Sequence, residues 1–319
     1  MKYIFSKLNI AWIVFTAVIL SILTFLVTGN VINAYYQSTL YTIGINIILA
    51  ISLNLIIGVT GQFSLGHAGF MCIGAYAAAI ITIDNPTLPG FLIGVVIGSI
   101  ISSLVALVVA IPTLRLKGDY LAIATLGFSE IVRIVVQNME ITNGAAGLFG
   151  IPKLTTWGLL IVCIVVSILI VMNFSRSAPG RACISIREDE IASEAMGINT
   201  TKYKTIAFII GAILASLAGA LYACNFYVVK PDLFTWAKSV DILIIVVFGG
   251  MGSFTGSIIS AIALGFINMY LQQFTDIRMI IYGVALVAIM VFRPKGLLGT
   301  KEFTLSGLFQ RFSKKKEVK

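Results

Sequence analysis

The chain has 319 residues, 59% hydrophobic and 11% charged, with a formal charge of +9. Soluble domains carry about 25% charged residues, and the mean hydropathy here is +1.02, which excludes a soluble fold and predicts a polytopic membrane protein. Nucleic-acid binding is not indicated, because the basic residues sit in short segments between apolar runs and at the chain ends.

In chain order, the first apolar run, 10–27, follows Lys2 and Lys7. No small-x-small cleavage site follows it, so it reads as a retained span rather than a removed signal peptide. Further apolar runs cover 41–58, 68–83, 91–111, 119–137, 157–173, 205–225, 240–250, 254–272 and 279–292. Several are shorter than the about 20 residues that cross a bilayer as a helix. The expected fold is therefore all-α, with about ten transmembrane or half-spanning helices. Turn residues punctuate the runs, among them Asp84-Asn85-Pro86, Asn143-Gly144, Pro231-Asp232 and Pro294-Lys295-Gly296.

With the N-terminus inside and the spans alternating, seventeen basic residues fall on the cytoplasmic side and four outside, with Arg133 within a span. This bias sets the expected orientation, with both termini cytoplasmic. Glu130 and Arg133 in the fifth run stand three residues apart and can pair on one helix face. In-span charges usually face a bundle interior, and a structural ion pair is expected. A proton relay would need more in-span carboxylates than the sequence offers, with Asp241 only at a span edge.

Two stretches interrupt the runs with glycine, Gly58 to Gly69 and Gly249 to Gly256. Paired interruptions in the two halves of a transporter point to the transport path. Close helix packing through small residues is the other reading, and the two are compatible. The polar residues at these breaks, Gln62, Ser64, His67, Ser253 and Thr255, are candidates for lining the path.

Residues 177–199 form a polar island in this apolar chain. Ser185 and Glu188 have the spacing of a capping box, acidic residues fill the next turn, and Gly197 stands where a left-handed residue would stop a helix. A helix over 186–196 is expected, with Ile191, Ala192, Ala195 and Met196 as an apolar stripe flanked by Arg187, Glu190 and Glu194. It is too short to cross a membrane and marginal alone in water, so another surface should receive it.

The four cysteines, Cys72, Cys163, Cys183 and Cys224, are scattered without a C-x-x-C pair and read as buried thiols. His67 is the only histidine, so no His-based metal cluster is possible, and no cofactor is expected. The sequence has no G-x-x-x-x-G-K-[ST], no H-E-x-x-H and no G-x-S-x-G. The chain is therefore not expected to be an enzyme, and any nucleotide that energises it must bind another polypeptide.

These motifs resemble a known family. Gly61-Gln-Phe-Ser-Leu-Gly-His-Ala-Gly-Phe70 with Gly74-Ala75-Tyr76 is similar to the signature of branched-chain amino-acid ABC-transporter permeases. Arg115 to Gly127, Glu130-Ile-Val-Arg133 and Gly147 to Pro152 resemble the M-type subunit, LivM, rather than its H-type partner. Gly180-Arg181, Ile186-Arg187-Glu188, Glu194 to Asn199, Gly249 to Ser253 and Arg293 to Leu298 complete the likeness, which runs from about 41 to 299. Asn143 stands where the family usually has a second glycine.

The resemblance implies an importer permease bundle in a bacterial or archaeal cytoplasmic membrane. Its partners would be a homologous H-type permease, two ATP-binding subunits and an extracytoplasmic binding protein. A transmembrane unit over 1–299, with a cytoplasmic coupling loop at 174–204, would precede a basic tail at 300–319. Arg187, Glu188, Glu190, Ile191, Glu194, Ala195, Met196 and Gly197 would then form the helix that docks on an ATP-binding subunit. Urea and short-amide permeases share much of the pattern. A secondary transporter acting alone and an intramembrane enzyme are the rival classes. Poverty of in-span carboxylates argues against the first, and the absence of a visible nucleophile–base pair against the second. With no charged pair visible that would clamp both ends of a zwitterion, the membrane site is expected to bind weakly.

Overall fold

The computed structural model describes residues 33–113, 116 and 118–271, with isolated positions 24, 29, 283, 284, 287, 296, 297 and 299. The expected spans at 10–27 and 279–292, and the tail at 300–319, lie outside the described residues or nearly so. The α-helices among the described residues are α1 Ala34–Asn54, α2 His67–Asp84, α3 Leu88–Thr113, α4 Asp119–Asn138, α5 Trp157–Arg176, α6 Ala178–Glu188, α7 Glu190–Ala195, α8 Thr200–Phe226, α9 Trp236–Gly249 and α10 Phe254–Leu271. Among the described residues, six are long and apolar enough to cross a membrane: α1 with its π turn, α2, α3, α5, α8 and α10. This makes the chain a multi-pass, essentially all-α membrane protein. The 14 residues of α9 span about 21 Å at 1.5 Å per residue, short of the about 30 Å hydrocarbon layer.

The core is built on α1, α2 and α8, whose faces are buried nearly all round. Small residues let these backbones touch. A Cβ on Gly74 of α2 would collide with the Ser216 carbonyl of α8, and one on Gly219 with the Met71 carbonyl. Such approach gives van der Waals contact where apolar lipid offers no hydrophobic drive for helices to associate. By contrast, α3 and α5 keep one face inside and expose rows of Ile, Leu and Val, including Leu104, Val108, Val162 and Leu169, as lipid-facing helices do.

On the segment between α4 and α5, β1 (Leu148–Phe149) pairs antiparallel with β2 (Val228–Val229) after α8. Thr155 fastens the same segment by donating to the Leu221 carbonyl at 3.0 Å. Asn143 adopts φ 58, ψ 27, a left-handed conformation, which Asn tolerates better than most non-glycine residues. Its Nδ2 donates to the Gly147 carbonyl at 3.0 Å, so Asn143 serves in the turn beside Gly144, which is also left-handed at φ 58.

The polar island departs from expectation. Two helices meet at Asp189, whose φ of −155 and ψ of 109 break the path, in place of one helix over 186–196. Ser185 lies inside α6, and its hydroxyl bonds the Ser193 hydroxyl at 2.8 Å, so it is not a cap. The caps are Ser177 for α6, with Pro179 at the second position, and Asp189 for α7, accepting from the Ala192 amide at 3.0 Å. The reason is local: Ser-Ala-Pro starts a helix well before the capping box would, and Asp is as good a cap as Ser. Gly197 does stop α7, with φ 83. The Gly197 amide donates to Glu194 and the Ile198 amide to Ser193, the paired bonds of a Schellman end.

Candidate functional site

The two glycine breaks meet in space. α1 ends in a π turn at Leu55–Val59, and Gly61, at φ 72, turns the chain away toward α2. The break between α9 and α10 is held against that turn by one buried side chain, Asn54. Its Nδ2 donates to the Ser253 carbonyl at 2.9 Å and the Ser257 hydroxyl at 2.8 Å. Its Oδ1 accepts from the Gly252 amide at 2.8 Å. Gly58 lies so close that a Cβ there would run into the Asn54 Oδ1 and the Gly252 nitrogen. Asn54 is absent from the sequence-based site, and the signal that could have found it is an amide within an apolar run, four residues before Gly58.

The five candidate path residues all lie at this junction. Gln62 and Ser64 are buried in the α1–α2 connection, and His67 starts α2 with no exposed surface. His67 Nε2 lies 2.7 Å from the Ser52 hydroxyl of α1. The Ala68 amide donates to Ser239 of α9 at 3.0 Å, and the Leu65 amide to Thr125 of α4 at 3.0 Å. The loop is thus gripped by α1, α4 and α9. The Gln62 amide is buried with neither polar atom hydrogen-bonded. Ser253 accepts from the Gly256 amide at 3.1 Å, which caps α10, and lies 3.2 Å from the Thr255 hydroxyl.

The polar island touches the same junction. Arg187, near the end of α6, donates through Nη1 to the Gly58 carbonyl, and Gly61 packs against its side chain. Nη2 pairs with Glu188 at 2.6 Å. The charges that flank the apolar stripe have partners within the chain. Glu190 pairs with Lys204 of α8 at 2.6 Å, and Glu194 accepts from Thr200 at 2.7 Å. A helix of six residues cannot hold itself, and these bonds tether α7 to α8. Its outer face stays open: Ile191 is 75% and Met196 82% exposed, with Ala192 and Ala195 flanking the same stripe, Ala195 exposed and Ala192 on the turn beside it. Cys183 of α6 is fully buried, and burial pushes its thiol up to about 11.

Glu130 and Arg133 pair at 2.7 Å, within a larger cluster. Arg133 also donates to Gln137 at 3.2 Å and lies 3.7 Å from Asp232. The second Glu130 oxygen accepts from the Trp236 amide at 2.9 Å, capping the start of α9. The cluster therefore fixes α4 against the start of α9, the end of that helix away from the second glycine break. No group of acidic, cysteine and histidine residues suited to a metal occurs among the described residues.

Comparison with known proteins shows the family of the chain. A family model described as branched-chain amino acid transport system / permease component matches residues 35–290. The chain is 35% identical over 289 residues to the high-affinity branched-chain amino acid transport system permease protein LivM of Salmonella typhimurium, covering 80% of this chain and 68% of that one. It is 29% identical over 198 residues to BraD of Pseudomonas aeruginosa, covering 60% and 56%. Against LivH of Escherichia coli the identity is 25% over 287 residues, covering 80% and 91%. No solved structure matches.

Proposed function

The chain belongs to the family of branched-chain amino acid transport permease components, and we propose that it is the M-type permease subunit of an ATP-driven importer of branched-chain amino acids. It is a transport component rather than an enzyme. Its proposed partners are a homologous H-type permease, two ATP-binding subunits and an extracytoplasmic binding protein, in a bacterial or archaeal cytoplasmic membrane. The proposed topology has about ten crossing or half-crossing helices, both termini cytoplasmic, a transmembrane unit over 1–299 and a basic tail at 300–319. The urea, short-amide and secondary-transporter alternatives have no support from these relatives, which carry branched-chain transport names.

The observation that carries the mechanism is the bond from Arg187 to the Gly58 carbonyl. One end of this contact belongs to the polar helix pair whose outer face awaits a partner. The other belongs to the π turn where both glycine breaks meet. Single π turns inside helices are recurrent sites of functional bending. In this reading an ATP-binding subunit receives Ile191, Ala192, Ala195 and Met196. When the subunits close, α6 and α7 move as one body and Arg187 carries the motion to the π turn. Asn54 makes the two breaks move together, and the route bordered by Gln62, Ser64, His67, Ser253 and Thr255 opens or shuts.

The test is coupling in the reconstituted complete transporter. Arg187→Gln should leave assembly and ATP hydrolysis near normal while uptake per ATP falls about tenfold, a shift of about 1.4 kcal/mol. Arg187→Lys keeps one donor and should fall less. An unchanged uptake-to-hydrolysis ratio in Arg187→Gln would refute the relay.

A further inference from the structure

The connection between α1 and α2 runs through the bundle rather than across its surface. Ala68, at the start of α2, is tied to Ser239 near the start of α9. Gly58 packs against Gly252, just beyond the end of α9. Ser239 and Gly249 stand ten residues apart on that helix, about 15 Å at 1.5 Å per residue. Residues 61–66 are neither helix nor strand, and an extended chain covers such a distance at about 3.3–3.6 Å per residue. Irregular backbone at membrane depth is tolerated only where protein buries it or where it lines a cavity.

Most polar side chains of this connection have partners. Thr60 donates to the Ile56 carbonyl, Ser64 accepts from the Gly66 amide, and the His67 ring is anchored to Ser52 through Nε2. Gln62 is the exception. It is 3% exposed, and its Nε2 and Oε1 are both buried without a hydrogen bond. Such groups are rare in native proteins, and each calls for a reason. A methionine would fill a similar length without the cost of burying an unpaired amide. The neighbours of Gln62 tie it to the moving parts. Gly61 packs against the Arg187 side chain, and the Gln62 backbone amide donates to the Ile56 carbonyl in the π turn at 3.3 Å. Any shift of the π turn therefore shifts Gln62.

The unpaired group itself selects a ligand. A primary amide carries two N–H donors and a carbonyl acceptor side by side, with no net charge. A free anion uses only the donors, and a free cation only the acceptor. A molecule with a carboxylate and an ammonium on one carbon uses both. We propose that Gln62 is the contact for the transported amino acid on the route, donating from Nε2 to its carboxylate and accepting at Oε1 from its ammonium once the junction opens. In the closed junction seen here both atoms are sealed. The assignment rests on the transport reading and deepens it, giving one of the path candidates a stated role. The amide adds no ion pair, which suits a residue that must release what it takes.

The experiment uses the complete reconstituted transporter with Ser64→Cys as a reporter and the parent as background. Residues 62 and 64 of an extended chain face the same side. N-ethylmaleimide should label the new thiol slowly in one of two states, nucleotide-free or trapped with ATP and vanadate, and at least threefold faster in the other. In the faster state, leucine in large excess should slow labelling at least threefold. 4-Methylpentanoate, which lacks the ammonium, and 3-methylbutylamine, which lacks the carboxylate, should leave the rate unchanged. Adding Gln62→Met should abolish the protection by leucine, and Gln62→Asn, which keeps the amide, should retain part of it. Without the reporter, Gln62→Met should melt at or above the parent while leucine uptake per ATP falls about tenfold. Equal labelling in the two states, equal protection by all three compounds, or protection that survives Gln62→Met each overturns the contact. A fall in melting temperature and uptake together in Gln62→Met would make the amide a structural group, and normal uptake would make it a spacer. Either result also overturns the contact, while leucine uptake by the parent leaves the transport reading standing. Failure of the parent to take up any branched-chain amino acid overturns that reading and the contact with it.

Discussion

Asn54 satisfies three groups from the second glycine break with one side chain, at zero exposure. Truncating it to Ala strands the Gly252 amide, while the Ser253 carbonyl keeps its bonds from the Ser257 amide and hydroxyl. An unsatisfied buried group costs about 1–3 kcal/mol, so Asn54→Ala should lower the melting temperature of the solubilised complex and its uptake together. Gly58→Ala should be at least as severe, because the added methyl meets the Gly252 backbone, which cannot swing aside as a side chain could. Wild-type melting of Gly58→Ala would show that the two breaks are not in contact. The two residues are legible in the sequence to unequal degree. Gly58 is marked as part of a break, while Asn54 carries no such sign, because nothing local says that an amide in an apolar run will meet a loop 198 residues away.

At the scale of elements, α7 is the piece whose sequence and structure disagree most usefully. Its cap is Asp189, so Asp189→Ala should cost about 1 kcal/mol of helix stability, whereas Ser185→Ala loses only a hydroxyl pair with Ser193 and should be milder. Ala195 is exposed, so Ala195→Arg should leave folding and insertion intact. It should still abolish pull-down of the ATP-binding subunit and substrate-stimulated hydrolysis. If both stay at wild-type level, α7 is not the docking element. The α4 cluster makes a different prediction. The Glu130 and Arg133 side chains are 22% and 19% exposed, so breaking the pair should cost less than the about 3–5 kcal/mol of a fully buried one. Glu130→Gln with Arg133→Gln should melt closer to wild type than Arg133→Gln alone, which leaves a carboxylate without its cation. The side-chain carbonyl that Glu130→Gln retains can still accept from the Trp236 amide. A double variant that melts below the single would locate the stabilisation elsewhere in the cluster.

For the whole molecule, the expectation is dependence on partners. Vesicles holding this chain alone should neither hydrolyse ATP nor accumulate leucine, and any measurable uptake there would return the secondary-transporter reading. The sequence by itself determined the membrane class, the positions of most spans, the two glycine breaks, the helix stop at Gly197 and the family. Each of these is written in composition, in a run of about 20 residues or in the bond pattern of neighbours up to about five apart. Tertiary structure decided the rest: that Gly58 meets Gly252, that Arg187 reaches a carbonyl 129 residues away, and that Lys238 reaches Asn46 across 192. The physical reason is that helices in lipid associate by close packing of small residues and a few polar bonds. Which faces achieve that fit depends on the shape of every neighbouring helix at once, and no local stretch of sequence contains that information.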